Sequence, residues 1–80
     1  MSATVTDALG RVKATAASHG ETYVWVDAAD LAALCTHAAV APTPLGKTLA
    51  GVAEGAALTR SRRVGLHRAA HLDPLLGLMG

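Results

Sequence analysis

Residues 58–72 read LTRSRRVGLHRAAHL and form the most distinctive stretch of the chain. The stretch contains four of the protein's seven Lys and Arg residues, two of its four His residues and no acidic residue. This layout predicts two short β-strands joined by a basic turn, a hairpin suited to a phosphate backbone. The end of the stretch, over 66–71, is equally compatible with a turn of helix, because Ala69 and Ala70 have low strand propensity.

The composition fits a single small domain. In a chain of 80 residues, of which 51% are hydrophobic, burial of apolar surface only narrowly exceeds the loss of conformational entropy. The core must come from Leu and Val, because the chain has one Trp, one Tyr and no Phe. A small core of this kind favours self-association as a homodimer.

The cysteine content and the hydropathy pattern of the chain indicate the cellular compartment of the protein. Cys35 is the only cysteine, so a disulfide within the chain is excluded, which is typical of a reducing cytoplasm. No apolar run approaches the roughly 18 residues that cross a membrane. Residues 1–4 lack the basic and apolar regions of a secretion signal. The sequence therefore predicts a cytoplasmic protein without membrane contact.

Charge is distributed unevenly along the chain, although the net charge is only +1. Residues 1–43 contain two Lys and Arg residues against four acidic residues, whereas residues 44–72 contain five against one. Surfaces that only need solubility usually mix both signs. The arginines of 58–72 therefore indicate contact with nucleic acid, with an anionic protein partner and a solvated surface as the alternatives.

Capping residues and apolar periodicity define the elements that precede the basic stretch. Thr4 begins a helix with Asp7 three residues later, in the manner of a capping box, and apolar residues then recur at helical spacing. Thr43 is suited to cap a later helix whose first residue is Pro44. These patterns predict helices over 4–19, 28–39 and 44–55, and a strand over 21–26.

The predicted strand has two different apolar faces. Tyr23 and Trp25 share one face, and Val24 and Val26 share the other. The aromatic pair would suit base stacking in a single-strand binder. Since the core has no other bulky side chains, however, we expect both aromatic rings to fill it.

The order of these elements resembles that of a winged helix-turn-helix domain. The closer likeness is carried by PLGKTL at 44–49 followed by LTRSRRVGL at 58–66. These segments resemble the helix-and-wing end of winged-helix modules in phage primases and in small phage or actinobacterial regulators. The resemblance implies one α+β domain over 1–80, with three helices, a short strand, a C-terminal β-hairpin wing and an apolar tail over 73–80.

The resemblance also implies how DNA would be held. Residues 44–55 would be the recognition helix in the major groove, and the basic hairpin would be the wing on the backbone or minor groove. The recognition helix offers few side chains that read base edges, so most of the affinity is expected from phosphate contacts. The candidate nucleic-acid contacts are Thr43, Lys47, Thr48, Arg60, Arg62, Arg63 and Arg68.

The sequence thus predicts a small non-enzymatic protein that binds double-stranded DNA and acts by occupancy, without a cofactor. A transcription regulator, an excision-type architectural factor and a replication accessory factor all fit this description. The alternative is a protein-interaction module, antitoxin-like or host-modulating, that binds a protein partner through the winged-helix surface or the apolar tail.

Two constellations with possible metal or nucleophile chemistry have simpler explanations. Cys35, His37, His67 and His71 offer zinc-binding atoms, but the usual paired cysteine spacing is missing. Cys35 lies on an apolar stripe, which favours a buried core thiol. It also lacks a recognisable base and orienting acid, so the sequence does not predict a nucleophile.

Two other motifs are explained by local structure. Asp27 and Asp30 fall in the first turn of a predicted helix, where acidic side chains favour the helix dipole. The tripeptide GKT at 46–48 resembles the end of a phosphate-binding loop, but Ala41 stands where the earlier glycine is required. Neither motif predicts a catalytic site.

Overall fold

Helices pack against a two-stranded antiparallel sheet, which makes this an α+β fold. The architecture is that of a computed structural model, which describes residues 4–18 and 20–79. The α+β class predicted from the sequence is confirmed. The elements in chain order are α1 (Val5–Ser18), β1 (Tyr23–Asp27), α2 (Ala28–Leu34), α3 (Pro44–Leu58), β2 (Arg63–His67), one π-helical turn (Arg68–Leu72) and α4 (Asp73–Leu78).

Helix α1 follows the sequence prediction closely. The Thr4 hydroxyl oxygen accepts a hydrogen bond from the Asp7 backbone N–H at 3.1 Å, as in an N-cap. The apolar stripe of the helix faces the core, with Ala8 and Val12 buried. The predicted last residue, His19, lies outside the described residues.

Strands β1 and β2 pair antiparallel, with Tyr23 opposite His67 and Asp27 opposite Arg63. The strand predicted over 21–26 is therefore present, beginning two residues later. Side chains alternate between the two faces of the sheet, so that one face is apolar and covered. The buried side chains of this inner face are Val24, Val26, Val64 and Leu66.

The prediction that the aromatic rings fill the core is wrong. Tyr23 is 56% exposed and Trp25 is 61% exposed, both on the outer face of the sheet. The core consists of Ala, Val, Leu and Cys side chains, and the valines of β1 belong to it. The valines of β1 fill the inner face, whereas Trp25 lies on the outer face against Gly65 of β2, which has no side chain.

Helix α2 ends at Leu34, earlier than the predicted Ala39. Residues 35–43 form successive turns instead, in which the Val40 N–H donates to the His37 carbonyl at 2.9 Å. The His37 ring nitrogen Nδ1 also accepts from the Ala39 N–H at 3.0 Å. The turns place Val40 in the core, fully buried, just before α3 begins.

The start of α3 matches the prediction and is tightly packed. The Thr43 hydroxyl accepts from the Gly46 N–H at 2.9 Å and donates to the Val40 carbonyl at 2.7 Å. Pro44 occupies the first turn of α3, where a backbone N–H would have no partner within the helix. Its missing N–H therefore costs no helical hydrogen bond. A Cβ at Gly46 would overlap the Val40 carbonyl oxygen, so the close approach of loop and helix requires glycine.

The other end of α3 extends to Leu58 instead of the predicted Gly55. The backbone N–H groups of Arg60 and Ser61 donate to carbonyls of the last turn at 3.2 and 2.8 Å. This pattern is the Schellman motif, in which the first residue past the cap has a positive φ and is usually glycine. Here that residue is Arg60, with φ 56°.

The predicted hairpin wing over 58–72 is wrong. This stretch contains a single strand, β2, whose partner is β1. The segment that was expected to return as a second strand is the π-helical turn Arg68–Leu72, which agrees with the helical alternative for 66–71. The His67 ring nitrogen Nδ1 accepts from the Ala70 N–H at 3.0 Å and so caps this turn.

The apolar tail is folded onto its own domain. Leu72 and Leu75 are fully buried, and Leu76 and Met79 pack against the core. Pro74 stands in the first turn of α4, where proline is tolerated. The tail therefore contributes to the core of this chain.

Candidate nucleic-acid interface

The basic surface lies where α3 ends and β2 begins. Arg60, Arg62 and Arg63 are all exposed within this short segment, which we call the arginine segment (residues 60–63). Among residues 4–18 and 20–79, ion pairs involve Arg11 and Arg63 and leave the other two arginines of the segment unpaired. The segment thus presents two unpaired guanidinium groups and a third that is weakly paired.

The side chains of the arginine segment face two sides of the domain. Arg63 lies on the outer face of the sheet and lines an open groove together with Trp25. Arg62 lines a second groove of about 460 Å³, which runs between α2 and α3 and is formed mostly by alanines. The positive charge therefore wraps around one end of the sheet.

The pairing of Arg63 is weak. Its Nε atom lies 3.8 Å from the Asp27 carboxylate, and the two side chains are 70% and 55% exposed. Exposed ion pairs of this kind contribute at most about 1 kcal/mol. Asp27 occupies the N-cap position of α2, but its side chain makes no capping hydrogen bond. An incoming anion can therefore compete for Arg63.

Arg68, a predicted phosphate contact, has a role within the fold. Its guanidinium donates to the Ala16 carbonyl at 2.9 Å and to the Glu21 carbonyl at 3.3 Å. These bonds join the π-helical turn to the end of α1 and to the loop that follows, 52 and 47 residues away in sequence. The proposed interface does not depend on Arg68.

The predicted contacts at the start of α3 are separate from the arginine segment. Thr43 is engaged as the helix cap, and the Thr48 hydroxyl donates to the Pro44 carbonyl at 3.0 Å. Lys47 is exposed. It lies roughly 17 Å along the helix axis from Leu58, given the rise of 1.5 Å per residue. The structure does not bring these residues together with the arginines.

The outer sheet face is the part of the site that sequence reasoning missed. Trp25 lies opposite Gly65, and a Cβ at position 65 would be 3.4 Å from atoms of the indole ring. A glycine inside a strand leaves room for an aromatic neighbour to lie over the backbone. Gly65 in the middle of an apolar strand was therefore the available signal for an outward-facing Trp25.

The groove beside β1 is lined by the buried carboxylate of Asp30, which is paired with Arg11. Asp30 is 5% exposed, and its two oxygens accept from the Arg11 Nε and Nη2 atoms at 2.7 to 3.1 Å. The hydrogen bond to Asp30 raises the pKa of Arg11. This ion pair ties α1 to α2, so Asp30 does more than favour the helix dipole.

Cys35 is a core residue in the structure. It is 8% exposed, and burial raises the pKa of its thiol, which disfavours the reactive thiolate. Within the described residues, no three His, Cys, Asp or Glu side chains are grouped in a way that would hold a metal ion. The zinc-binding arrangement considered for Cys35 and the histidines is therefore not assembled there.

Comparison of the chain with protein-family models, with curated proteins and with solved structures gives no match. In the part of the chain that the structure describes, no helix is both long and apolar enough to cross a membrane. Arguments about function therefore rest on the chemistry of this chain's own surface.

Proposed function

We propose that this protein binds DNA through the phosphate backbone, with the arginine segment as the main contact, and acts by occupancy and not by catalysis. A regulator, an excision-type architectural factor or a replication accessory factor would work in this way. The observation that carries the proposal is the exposed cluster of Arg60, Arg62 and Arg63 at one end of the sheet, with one weak acidic partner.

The backbone at Arg60 supports the proposal. An L-residue in the left-handed region is strained by roughly 1–2 kcal/mol, and glycine avoids this strain. The Schellman motif needs only the backbone at this position. An arginine at this position adds a positive charge, which favours the negative end of the helix dipole by less than the strain and leaves the side chain exposed to solvent. A strained residue with such a side chain points to a binding role for it.

The resemblance to a winged helix-turn-helix domain supports the proposal only through the helices. We propose that α2 and α3 correspond to the helix pair of such a domain, with the segment after α3 on the DNA backbone. The second strand of the wing is replaced by a helical turn, so the duplex contact is expected to be smaller. Sequence readout is expected to be weak because α3 exposes few readers of base edges.

The proposal is tested by titrating fluorescent random-sequence duplex DNA at two salt concentrations. Each phosphate contact contributes a slope of about 0.9 in log affinity against log salt, so three arginines predict a slope of roughly 2.7. The double variant Arg60→Ala/Arg62→Ala should lower the slope by about 1.8 and weaken binding at low salt by about tenfold or more.

Lys13→Glu is the matched control, because it changes the net charge by the same amount at an exposed position on α1. The control should bind nearly as well as the wild type if the contact is local. If Arg60→Ala/Arg62→Ala and Lys13→Glu lose the same DNA affinity, binding depends only on the net charge of the protein. Absence of binding by the wild type at low salt would contradict the proposal.

A further inference from the structure

The outer face of the sheet carries the only two aromatic residues of the chain, apart from its histidines, and both are more than half exposed. Neighbouring exposed rings on one face form a surface that can bind a partner, because burying an aromatic ring is worth more than burying a smaller side chain. The inner face of the same sheet is covered by the core. The exposed rings of Tyr23 and Trp25 therefore form a distinct surface, which we call the aromatic face.

Cross-strand contacts hold the two rings in place. The indole of Trp25 lies against Gly65, with ring carbons Cζ2 and Cη2 each 3.4 Å from where a Cβ would stand. The ring of Tyr23 meets the ring of His67 edge to face, with centroids 5.2 Å apart and an interplanar angle of 89°. Rings positioned in this way offer exposed π surface with little loss of conformational freedom on binding.

Charge around the aromatic face is arranged asymmetrically. The groove between α1 and β1, about 1010 Å³ in volume, is lined by Arg11 and Arg63 and by Glu21, Asp27 and Asp30. Arg11 and Asp30 neutralise each other through their bidentate pair. Arg63 is only weakly paired with Asp27, so an anion can bind at this end of the groove, and Arg62 and Arg60 lie next in the chain.

An aromatic ring beside a weakly paired arginine, with two unpaired arginines next in the chain, fits a nucleobase that is free to stack and carries a phosphate. In a duplex the faces of the bases are already stacked on one another, so only an unpaired strand can use an aromatic face. Arg63 is diagonal to Trp25 across the strand pair, which places a phosphate contact next to a stacked base.

We infer that the aromatic face stacks unpaired bases of a single-stranded nucleic acid whose phosphates lie on the arginine segment. This inference rests on the proposed function, because it takes the same arginines as the phosphate contact and adds the form of the nucleic acid. Stacking reads every base similarly, so little sequence preference is expected. DNA and RNA strands share the chemistry required, and the test separates them.

The single tryptophan provides a direct measurement. Unlabelled 15-mers of thymidine and of uridine, and a blunt duplex of the same length, are titrated into the protein while Trp25 fluorescence is recorded. Stacking of a base on the indole should quench this fluorescence with the single strands and leave it nearly unchanged with the duplex. Thymidine and uridine also differ in the C5 methyl group, so a deoxyuridine 15-mer is included. A difference between this strand and the uridine strand identifies the preferred sugar.

Affinity is measured in parallel with end-labelled strands and three variants. Trp25→Thr removes the ring while keeping a strand-forming residue, and should weaken single-strand binding by roughly tenfold or more. Trp25→Phe keeps a stacking ring and should retain most of the affinity. Leu78→Gln, which alters an exposed apolar side chain of α4, serves as the control and should bind like the wild type. Circular dichroism verifies that each variant is folded.

The outcomes separate the two proposals. Loss of single-strand binding in Trp25→Thr with unchanged duplex binding supports the inference. If Arg60→Ala/Arg62→Ala weakens both forms of DNA while Trp25→Thr weakens neither, the proposed function stands and the aromatic face is excluded as the contact. If the wild type binds neither single strand nor duplex at low salt, both proposals fail.

Discussion

The two ends of α3 are built in opposite ways. At its start, Thr43 caps the helix, Gly46 packs against the preceding loop, and Val40 lies in the core. At its end, the chain leaves the helix through Arg60 in a strained backbone conformation and continues into exposed arginines. The first end has the residue types that stabilise a helix terminus, whereas the second has a charge where glycine would be more stable.

We expect this difference to separate stability from the proposed binding along one helix. Substitutions at the start of α3 should lower the free energy of unfolding, with little direct effect on binding. Substitutions at its end should change binding, and one of them should raise stability.

The largest effect is expected for Gly46→Ala. The added Cβ overlaps the Val40 carbonyl oxygen, so either the loop or the helix must move, and the free energy of unfolding should fall by about 3 kcal/mol or more. Urea denaturation followed by circular dichroism measures the change. Gly51→Ala is the control on the same helix, where the new Cβ meets no other atom and should add roughly 0.5–1 kcal/mol. Equal effects of the two substitutions would refute the close packing at Gly46.

A smaller loss is expected for Thr43→Ala. The variant loses the hydroxyl that accepts from the Gly46 N–H and donates to the Val40 carbonyl, and should be less stable by about 1 kcal/mol. Thr43→Ser keeps the hydroxyl and should lose much less. Thermal unfolding of both variants distinguishes the cap from the packing of the methyl group. DNA affinity should not change in either variant, and a loss of binding by Thr43→Ala alone would restore Thr43 as a contact.

The smallest change is expected for Arg60→Gly, and it has the opposite sign. Glycine relieves the strain of the positive φ, but this gain is partly offset by the greater freedom of glycine in the unfolded chain. The net result should be a gain of about 0.5 kcal/mol, with weaker and less salt-dependent DNA binding. Arg62→Gly, where φ is not positive, should lose binding without gaining stability. A less stable Arg60→Gly protein would argue against the strain.

The sequence predicted correctly those elements whose formation depends on residues only a few positions away in the chain. The caps at Thr4 and Thr43 and the proline at position 44 each act within a few residues of their own position, and the structure has the expected helices there. Cys35 was recognised as a core residue from its place on an apolar stripe, and it is buried. These features follow from spacing and capping alone.

The features that depend on distant residues were not predictable in the same way. Both faces of β1 are apolar, so alternation could not decide which face is covered. The decision depends on Gly65 opposite Trp25, a pairing that no local pattern contains. Similarly, β2 pairs with β1 and not with the segment after it, and Arg68 is drawn into bonds with the end of α1. In the sequence, the structural Arg68 looks no different from the exposed arginines of residues 60–63.

The register of the sheet has a consequence for the order of folding. Paired positions in β1 and β2 lie about forty residues apart in the chain, so forming the ladder closes a long loop, with the entropy loss this entails. The hydrogen bonds within helices α1 and α3 join residues close together in the chain, so these helices can form on a much faster timescale. We therefore expect the strand pair to assemble last, once the helices have shortened the intervening chain. Trp25 belongs to this late element, and its fluorescence in a stopped-flow trace would report the completion of the native state.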